Sequence, residues 1–387
     1  MIRHAFYLAL RYLAAAPGRT LVLILGTAVA LFLPAFTSVA SGELRGALMS
    51  RAESSPVLVG RVGNPFDLTL NALYFRGAVR DPLSYGDRLS LKEKAYGEVI
   101  PLYILHSVSG SPLVATELNY YPARGLTPVQ GRLPAVLGEV VAGAQVAEDF
   151  NLQVGDTLRS DTRNLYNIAG SYPLLLQVTG ILGPTNTPDD TAFFCDLRTA
   201  WALDGALHGH EAVTADQALN PEADADEALS ATAAIFMFQE IDESNRGSFH
   251  MHGNMDAQPI SSLLIMPDSA KHHDQLLGDL ALEETRQAVR PAGVIDTILG
   301  IVLRIEAGLK VYFSAVAFST GAFFLLVIAL TLRLRKTELT LMRRIGCSPF
   351  TIATMVGVEI SLILSAAAAL AALGTWLCVL ILRAGLS

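Results

Sequence analysis

The 387 residues are 51% hydrophobic and only 17% charged, where an average soluble domain is roughly 25% charged. With a mean hydropathy of +0.41 this excludes a disordered chain, which needs low hydrophobicity and high charge, and makes a membrane the sink for the apolar excess. A net charge of −8, with lysine and arginine only in short runs, excludes a nucleic-acid partner, because neutralising phosphates takes clustered cations.

Residues 1–19 read as an amphipathic lead carrying Arg3, Arg11 and Arg19. Residues 20–40 (TLVLILGTAVALFLPAFTSVA) are the first of three runs long enough to span a membrane, interrupted only by Gly26 and Pro34. A cleavable signal is the alternative here, but its apolar region is only about 7–15 residues long. This run is longer and stands behind the lead, so it reads as a retained anchor. The second span is expected at 308–332 and the third at 352–383, leaving 384–387 as a C-terminal end. In lipid such segments satisfy their backbone polar groups as helices. Basic residues cluster before the first span and in the 333–351 loop, at Arg333, Arg335, Lys336, Arg343 and Arg344. The positive-inside rule therefore puts both segments in the cytoplasm, and the stretch 41–307 and the C-terminus outside.

That central stretch is large enough for hydrophobic cores of its own, and two subdomains are expected. It reads as α+β. Strands are expected at Glu139–Val141, Leu174–Leu182 and Leu263–Ile265, between Gly, Pro, Asn and Asp turn signals. Helices are expected over Ala215–Phe238 and Lys271–Val289, with an acidic, solvated helix start at Asn220–Ala231. Asp189 with Asp190, and Glu222 with Asp224, Asp226 and Glu227, form acidic clusters. The three cysteines show no pairing or CxxC spacing, so neither a disulfide framework nor a thiolate metal site is expected. Cys195 reads as a small buried hydrophobe.

The 333–351 loop contains the sequence Arg335, Lys336, Thr337, Glu338, Leu339, Thr340, Leu341, Met342, Arg343, Arg344, Ile345, Gly346, Cys347, Ser348. Leu339, Met342, Ile345 and Leu341 form one apolar stripe on a short helix, with Arg335, Arg343 and Arg344 on another face. Such a helix would lie on the cytoplasmic surface, where anionic lipid headgroups are one partner. The segment resembles the cytoplasmic loop of ABC permeases of the FtsX, LolC and MacB type, and Glu359 matches an acid that family carries early in the following span. Two further stretches resemble the family's periplasmic core domain. One runs through Gly125, Gly131, Arg132, Leu133, Pro134, Gly138, Glu139, Val140, Val141, Gly143, Val146, Ala147, Leu152, Val154, Gly155 and Asp156. The other comprises Val178, Gly180, Ile181, Leu182, Gly183, Thr185 and Asp190. Their glycines are expected at turns with positive φ, serving fold and not chemistry. Arg11, Tyr12, Leu13 and the segment Pro17–Leu21 fit the family's lead into span one.

The resemblance implies an α-helical membrane protein with three transmembrane helices and a large α+β domain outside the cytoplasm, in a bacterial inner membrane. It implies a coupling helix, with Lys336, Glu338, Leu339, Met342, Arg343, Arg344, Ile345 and Gly346 contacting a separate cytoplasmic ATPase that binds ATP and Mg²⁺. No GxxxxGK[ST] phosphate loop occurs in this chain, nor any GxSxG or HExxH signature, so no enzyme activity of its own is expected. Further implied partners are a second permease copy or a homologous permease, membrane lipid and a periplasmic protein. Members of this topology usually carry a fourth span, so either the chain is shortened or another subunit completes the membrane unit. An FtsX-like regulator of a periplasmic partner is the alternative in that family.

Six of the eight histidines form three close pairs: His208 with His210, His250 with His252, and His272 with His273. Residues two apart in a strand share a face, so the first two pairs each present two imidazoles. Asp242, Glu243, Met251, Met255 and Asp256 are near in sequence. Imidazole with carboxylate suits Zn²⁺, and added thioether favours Cu(I). A metal-linked transport component is the reading these pairs support, the adjacent His272 and His273 being the weaker case. Glu359, inside an apolar run, is costly to insert in lipid and hence a functional candidate; it is expected to pair with Arg343 or Arg344.

Overall fold

The structure, a computed structural model of the chain, describes residues 2–77, 79–161, 173–209, 240–241, 243–251 and 253–386. In chain order α1 (Ile2–Ala15) and α2 (Pro17–Glu53) precede β1 (Val57–Arg61), α3 (Pro65–Tyr74), β2 (Leu83–Ser84), α4 (Tyr85–Glu93), β3 (Gly97–Val108) and β4 (Ser111–Thr116). There follow α5 (Tyr120–Arg124), β5 (Pro128–Gly131), β6 (Glu139–Ala142), α6 (Ala144–Asp149), β7 (Thr157–Arg159), β8 (Leu175–Leu182), β9 (Phe193–Asp196) and α7 (Leu197–Leu203). The last elements are β10 (Leu207–His208), β11 (His250–Met251), β12 (Pro259–Ile260), β13 (Ser262–Pro267), α8 (Ala270–Ala281), β14 (Arg286–Val289), α9 (Pro291–Leu334), α10 (Lys336–Arg344) and α11 (Pro349–Leu386). Two compact units result: a helical one holding Met1–Ala47 and Thr297–Leu386, and a central one holding Leu48–Asp296.

In the helical unit, α2, α9 and α11 are each long and apolar enough to cross a membrane. The fold class is therefore the expected one: three spanning helices and a large mixed α/β domain. The helices outrun the expected spans. With 37 and 44 residues, α2 and α9 measure about 55 and 66 Å at ~1.5 Å per residue, against a hydrocarbon core of about 30 Å. Hydropathy marks only the apolar part, whereas the polar but helix-compatible sequence Gly42–Glu53 continues α2 without a break. Likewise α11 runs through 384 to Leu386. Proline at 17 disfavours helical geometry at Ala16 and pre-sets the first turn of α2, which separates the lead from the span. Leu23 of α2, Phe324 of α9 and Ile363 of α11 share a small core, with Leu13 of α1 packed against it.

The central unit is built on a ten-stranded sheet among the described residues, in the order β14-β1-β13-β3-β4-β9-β6-β8-β5, with β7 also paired to β8. The pairs β4/β9 and β6/β8 are parallel and the others antiparallel. The strands at Glu139–Ala142, Leu175–Leu182 and Ser262–Pro267 sit where the alternating runs put them. One sheet runs through the unit among the described residues, the β3/β4 hairpin joining its two halves. The turn of that hairpin uses positive φ at both Ser109 and Gly110, the geometry that matches strand twist. The expected helix over Lys271–Val289 stops at Ala281; Arg286–Val289 is a strand because β1 recruits it, pairing Leu58 with Val289 and Arg61 with Arg286. The helix expected at Ala215–Phe238 and the acidic start at Asn220–Ala231 lie outside the described residues.

Of the motif glycines, Gly125, Gly131, Gly138 and Gly155 do adopt positive φ. Gly143 and Gly180 do not; they serve close approach. A Cβ at Gly143 would stand 2.3 Å from the Asp189 carbonyl oxygen and 2.5 Å from that of Asp190. At Gly131, with φ +68, a Cβ would meet the Thr179 carbonyl at 2.1 Å. Neither obstruction is a side chain able to swing away. Cys195 is fully buried in the core, as its isolation suggested.

Candidate functional site

The loop between the second and third spanning helices is a stop, a short helix and a start. Gly346, at φ +98, follows α10 and lets the Cys347 amide reach the Met342 carbonyl (3.0 Å) and its own amide reach that of Arg343 (3.1 Å), a left-handed helix stop. Ser348 then accepts the Thr351 amide at 3.2 Å and Pro349 opens α11. The glycine and small residues of the motif thus set the turn between two helices.

The side chains of α10 divide differently from the expected stripe. Leu339 and Met342 are half-buried, whereas Leu341 (61% exposed) and Ile345 (74%) are exposed, as are Lys336, Glu338, Arg343 and Arg344. Arg335 is not on the exposed basic face: it is 6% exposed. Its guanidinium donates to Glu359 at 3.1 Å and covers the Tyr12 ring, 3.4 Å from the centroid. Its Nε lies 3.6 Å from the Glu338 carboxylate. Arg19 approaches the other oxygen of Glu359 at 3.5 Å and donates to Thr331 at 3.3 Å and to the Tyr12 hydroxyl at 3.4 Å. Glu359 therefore pairs with Arg335 and Arg19, not with Arg343 or Arg344. The reason is geometric: Arg335 closes α9 and Arg19 opens α2, so both reach the second turn and beyond of α11, while Arg343 and Arg344 lie at the far end of α10. One buried carboxylate thereby ties α1, α2, α9 and α11 at the root of α10.

A second charged knot, invisible in the motif reading, lies in the central unit at the end of α2. Arg51 donates to both oxygens of Asp189 (2.6 and 2.8 Å), to the Tyr120 hydroxyl (3.1 Å) and to the Leu73 carbonyl (3.3 Å). Tyr120 in turn donates to Asp189 at 2.7 Å. Asp189 is 1% exposed. Burial pushes its carboxyl up, but the Arg51 charge and the hydrogen bonds from Arg51 and Tyr120 prevail and hold it below its ordinary value. Asp189 and Asp190, one of the acidic clusters of the sequence, are both interior. Asp190 accepts the Thr185 and Asn186 amides and closes its own loop. In the GEVV motif, Glu139 takes Arg132 at 2.7 Å and the Ala135 amide at 2.8 Å. Burial raises this carboxyl as well, and those hydrogen bonds bring it below the ordinary range. Glu139 and Asp190 of the motifs are thus occupied by local hydrogen bonds.

For the histidines, β10 and β11 pair antiparallel with His208 opposite His250 and Leu207 opposite Met251. One histidine of each sequence-distant pair, His208 and His250, is thus brought onto one two-stranded ladder. Nδ1 of His250 sits 2.9 Å from the Ser248 carbonyl. His210, His252 and Asp242 lie outside the described residues, and among the described ones no group of three or more His, Cys, Asp or Glu is poised around a metal. His272 and His273 stand at the start of α8. The amide of His272 is capped by Ser269, while the His273 ring faces Asp274 at 3.0 Å.

The chain is thus a membrane protein in which an exposed amphipathic helix and a large α/β unit are linked by long helices. Among solved structures, the periplasmic region of MacB from Actinobacillus actinomycetemcomitans is similar at 14% identity and a TM-score of 0.34, covering 63% of this chain and 92% of that one. The extracellular domain of the noncanonic ABC-type transporter YknZ from Gram-positive bacteria is similar at 11% identity and a TM-score of 0.32, covering 60% of this chain and 98% of that one. No family model matches the sequence, and no curated protein matches it.

Proposed function

We propose that this chain is the permease subunit of an ABC-type complex in a bacterial inner membrane, coupling ATP hydrolysis on a separate cytoplasmic subunit to motion of its central unit outside the cytoplasm. The observation that carries this reading is α10: a short helix whose root is fixed by Arg335 and Glu359, while Leu341, Ile345, Arg343 and Arg344 face outward with nothing over them among the described residues. An exposed apolar and cationic surface on a rigidly rooted helix suits docking onto a protein partner. ATP and Mg²⁺ would bind that partner and none of the chemistry would occur here. The basic residues flanking the spans support the orientation, and the unbroken α2, ending in the Arg51 knot, supports transmission along a helix. A second permease copy or a homologous permease, membrane lipid around the three spans and a periplasmic protein complete the proposed partners. The work done is transport or mechanotransmission; regulation of a periplasmic partner is the variant in which nothing is carried.

Mild-detergent purification of the tagged chain from its native host tests the proposal. A small soluble ATPase is expected to co-purify and to be lost with Leu341→Asp plus Ile345→Asp. Its absence from the wild-type preparation, or extracellular labelling of a cysteine placed at Arg343, would overturn it.

The backbone register that sets His208 opposite His250 favours one addition: the two histidine pairs, His208 with His210 and His250 with His252, are proposed to bind Zn²⁺. Ligation needs neutral imidazole, so Zn²⁺ binding by the full chain is expected to weaken on acidification. Unchanged Zn²⁺ affinity in His208→Ala plus His250→Ala would reject the addition and leave the permease reading untouched.

A further inference from the structure

Helix α1 is fastened to the helical unit along one side only. Ala9 is fully buried, and Leu13 packs against the core of Leu23, Phe324 and Ile363. Tyr12 accepts from Arg19 at 3.4 Å and lies beneath the Arg335 guanidinium. Residues 9, 12 and 13, at spacings of three and four, share one face of the helix. The other sides are uncovered. Phe6 (45% exposed), Tyr7 (60%), Leu8 and Leu10 all stand out from the helix, and Arg11 is exposed with no ion pair among the described residues.

Charge and position together decide what covers that surface. Arg3 and Arg11 are the arginines of α1, and no Asp or Glu occurs in the chain before Glu43. Large hydrophobic side chains crowded between Phe6 and Leu10 make a poor surface to leave in water. Only Ala16 separates α1 from α2, so the surface is carried at the edge of the membrane that α2 is long and apolar enough to cross. Aromatic rings, and arginines with their apolar stems, are the side chains that settle at the level of lipid headgroups. A helix with cationic and no acidic residues is drawn to anionic headgroups in particular, and a guanidinium meets a phosphate through two parallel hydrogen bonds.

We propose that α1 is a docking surface for an anionic lipid bilayer. Arg11 takes lipid phosphates, Phe6, Tyr7 and Leu10 enter the boundary between headgroups and acyl chains, and Tyr12 fastens the opposite side of the helix to Arg335. That arginine immediately precedes α10, so the lipid contact and the root of α10 share one helix. The proposal rests on α2 spanning the membrane and not on an ATPase partner.

The test uses the full chain reconstituted in phosphatidylcholine vesicles, with Trp376→Phe to silence the tryptophan of α11 and Tyr7→Trp as reporter on the exposed face. Trp201, buried in the central unit, gives a background that the chain carrying Trp376→Phe alone subtracts. An equal, minor fraction of lipid with brominated chains is supplied either as phosphatidylglycerol or as phosphatidylcholine, since bromine quenches tryptophan on contact. Both are expected to quench the added emission, phosphatidylglycerol about threefold more strongly, as for a lipid enriched by arginine. Arg3→Gln plus Arg11→Gln should bring the two lipids to equal quenching without abolishing it. Should that variant fail to fold, molar sodium chloride on the chain with both arginines serves instead, because screening should shrink the same preference. Equal quenching by the two lipids with both arginines present, or a preference that survives their loss and high salt, overturns the anionic lipid. No quenching by either lipid overturns the docking itself and points to a protein cover. Co-purification of an ATPase is read separately, so failure here and failure of the permease reading are distinguishable.

Discussion

Replacing Arg51 by Met is the sharpest test of how α2 is held in the central unit. Met keeps much of the apolar stem but removes two hydrogen bonds to Asp189, one to Tyr120 and one to the Leu73 carbonyl. It leaves a carboxylate that is 1% exposed with only neutral donors, Tyr120 and Thr187. Breaking a buried pair from one side costs about 3–5 kcal/mol. At about 2–4 °C per kcal/mol for a domain of roughly 150–250 residues, a cost of ~4 kcal/mol lowers the melting temperature of the central unit by about 8–16 °C. The readout is built in. Trp201 and Trp376 are the two tryptophans, so Trp376→Phe leaves Trp201, fully buried in the core of that unit, as the sole reporter of its melting in the full chain. Arg51→Met with Asp189→Asn removes both charges yet keeps an acceptor for Tyr120, and is expected to recover about 2 kcal/mol of the loss. If Arg51→Met melts within about 1 °C of the parent, or if the double variant is no better than the single one, the knot is not what fixes the helix.

The same emission serves a pH series. The Asp189 and Glu139 carboxyls both lie below their ordinary values of 3.8 and 4.5. Their stabilising contribution is therefore complete above those ordinary values and is lost as pH falls through the depressed ones. Stability should be level from neutral pH to about 5 and drop below that, with a shallower drop in Asp189→Asn; a steeper drop in that variant would contradict the assignment. Gly143→Ala should cost about 3 kcal/mol as an overpacked site, since the clashing atoms are backbone carbonyls; full stability by chemical denaturation would show that the Asp189 loop yields. Glu359→Gln removes the charge that roots α10, and in a Cys378→Ser background maleimide labelling of Cys347, just past α10, should speed up about threefold or more as that end opens locally. An unchanged rate would mean that Leu339 and Met342 fix the helix by packing alone.

What the sequence showed and what it hid divide along one line, the range of the interaction. The spans were legible because about 18 apolar residues in a row have one outcome in lipid. The stop and start around α10 were legible as Gly346, Ser348 and Pro349, whose preferences are local. Strands at Glu139 and Leu263 followed from alternation within a few residues. By contrast, Arg286–Val289 looks helical in isolation and is a strand only because β1, from the other end of the unit, pairs with it. The Glu359 partner was misassigned for the same cause. Arg343 and Arg344 are nearer in sequence, but a helical hairpin brings the end of α9 and the start of α2 against α11. Arg51 and Asp189 lie 138 positions apart, and neither residue type nor spacing announces such a pair. An Arg near the end of a long amphipathic extension is the only signal, and it is weak, because charged residues there are ordinarily solvated.

The two knots share one design. Helix α2 has an arginine near each end, Arg19 on Glu359 in the helical unit and Arg51 on Asp189 in the central one. The Arg51 contact is a bidentate, charge-assisted hydrogen bond and hence directional, whereas Arg19 makes an ion pair at 3.5 Å with Glu359 and its hydrogen bonds go to Tyr12 and Thr331. Near the middle stands Pro34, which donates no hydrogen bond to Ala30 and relaxes the ladder at one point. Stacked Phe32 and Phe36 flank it, and the Phe32 ring sits 3.3 Å from where a Cβ at Gly374 would be, so α11 packs closely just where α2 is weakest. Each arginine thus orients its own end of α2 within its own unit, and the proline is the point where the backbone ladder of that helix is weakest. These roles fall to three residues of one helix that no local motif connects.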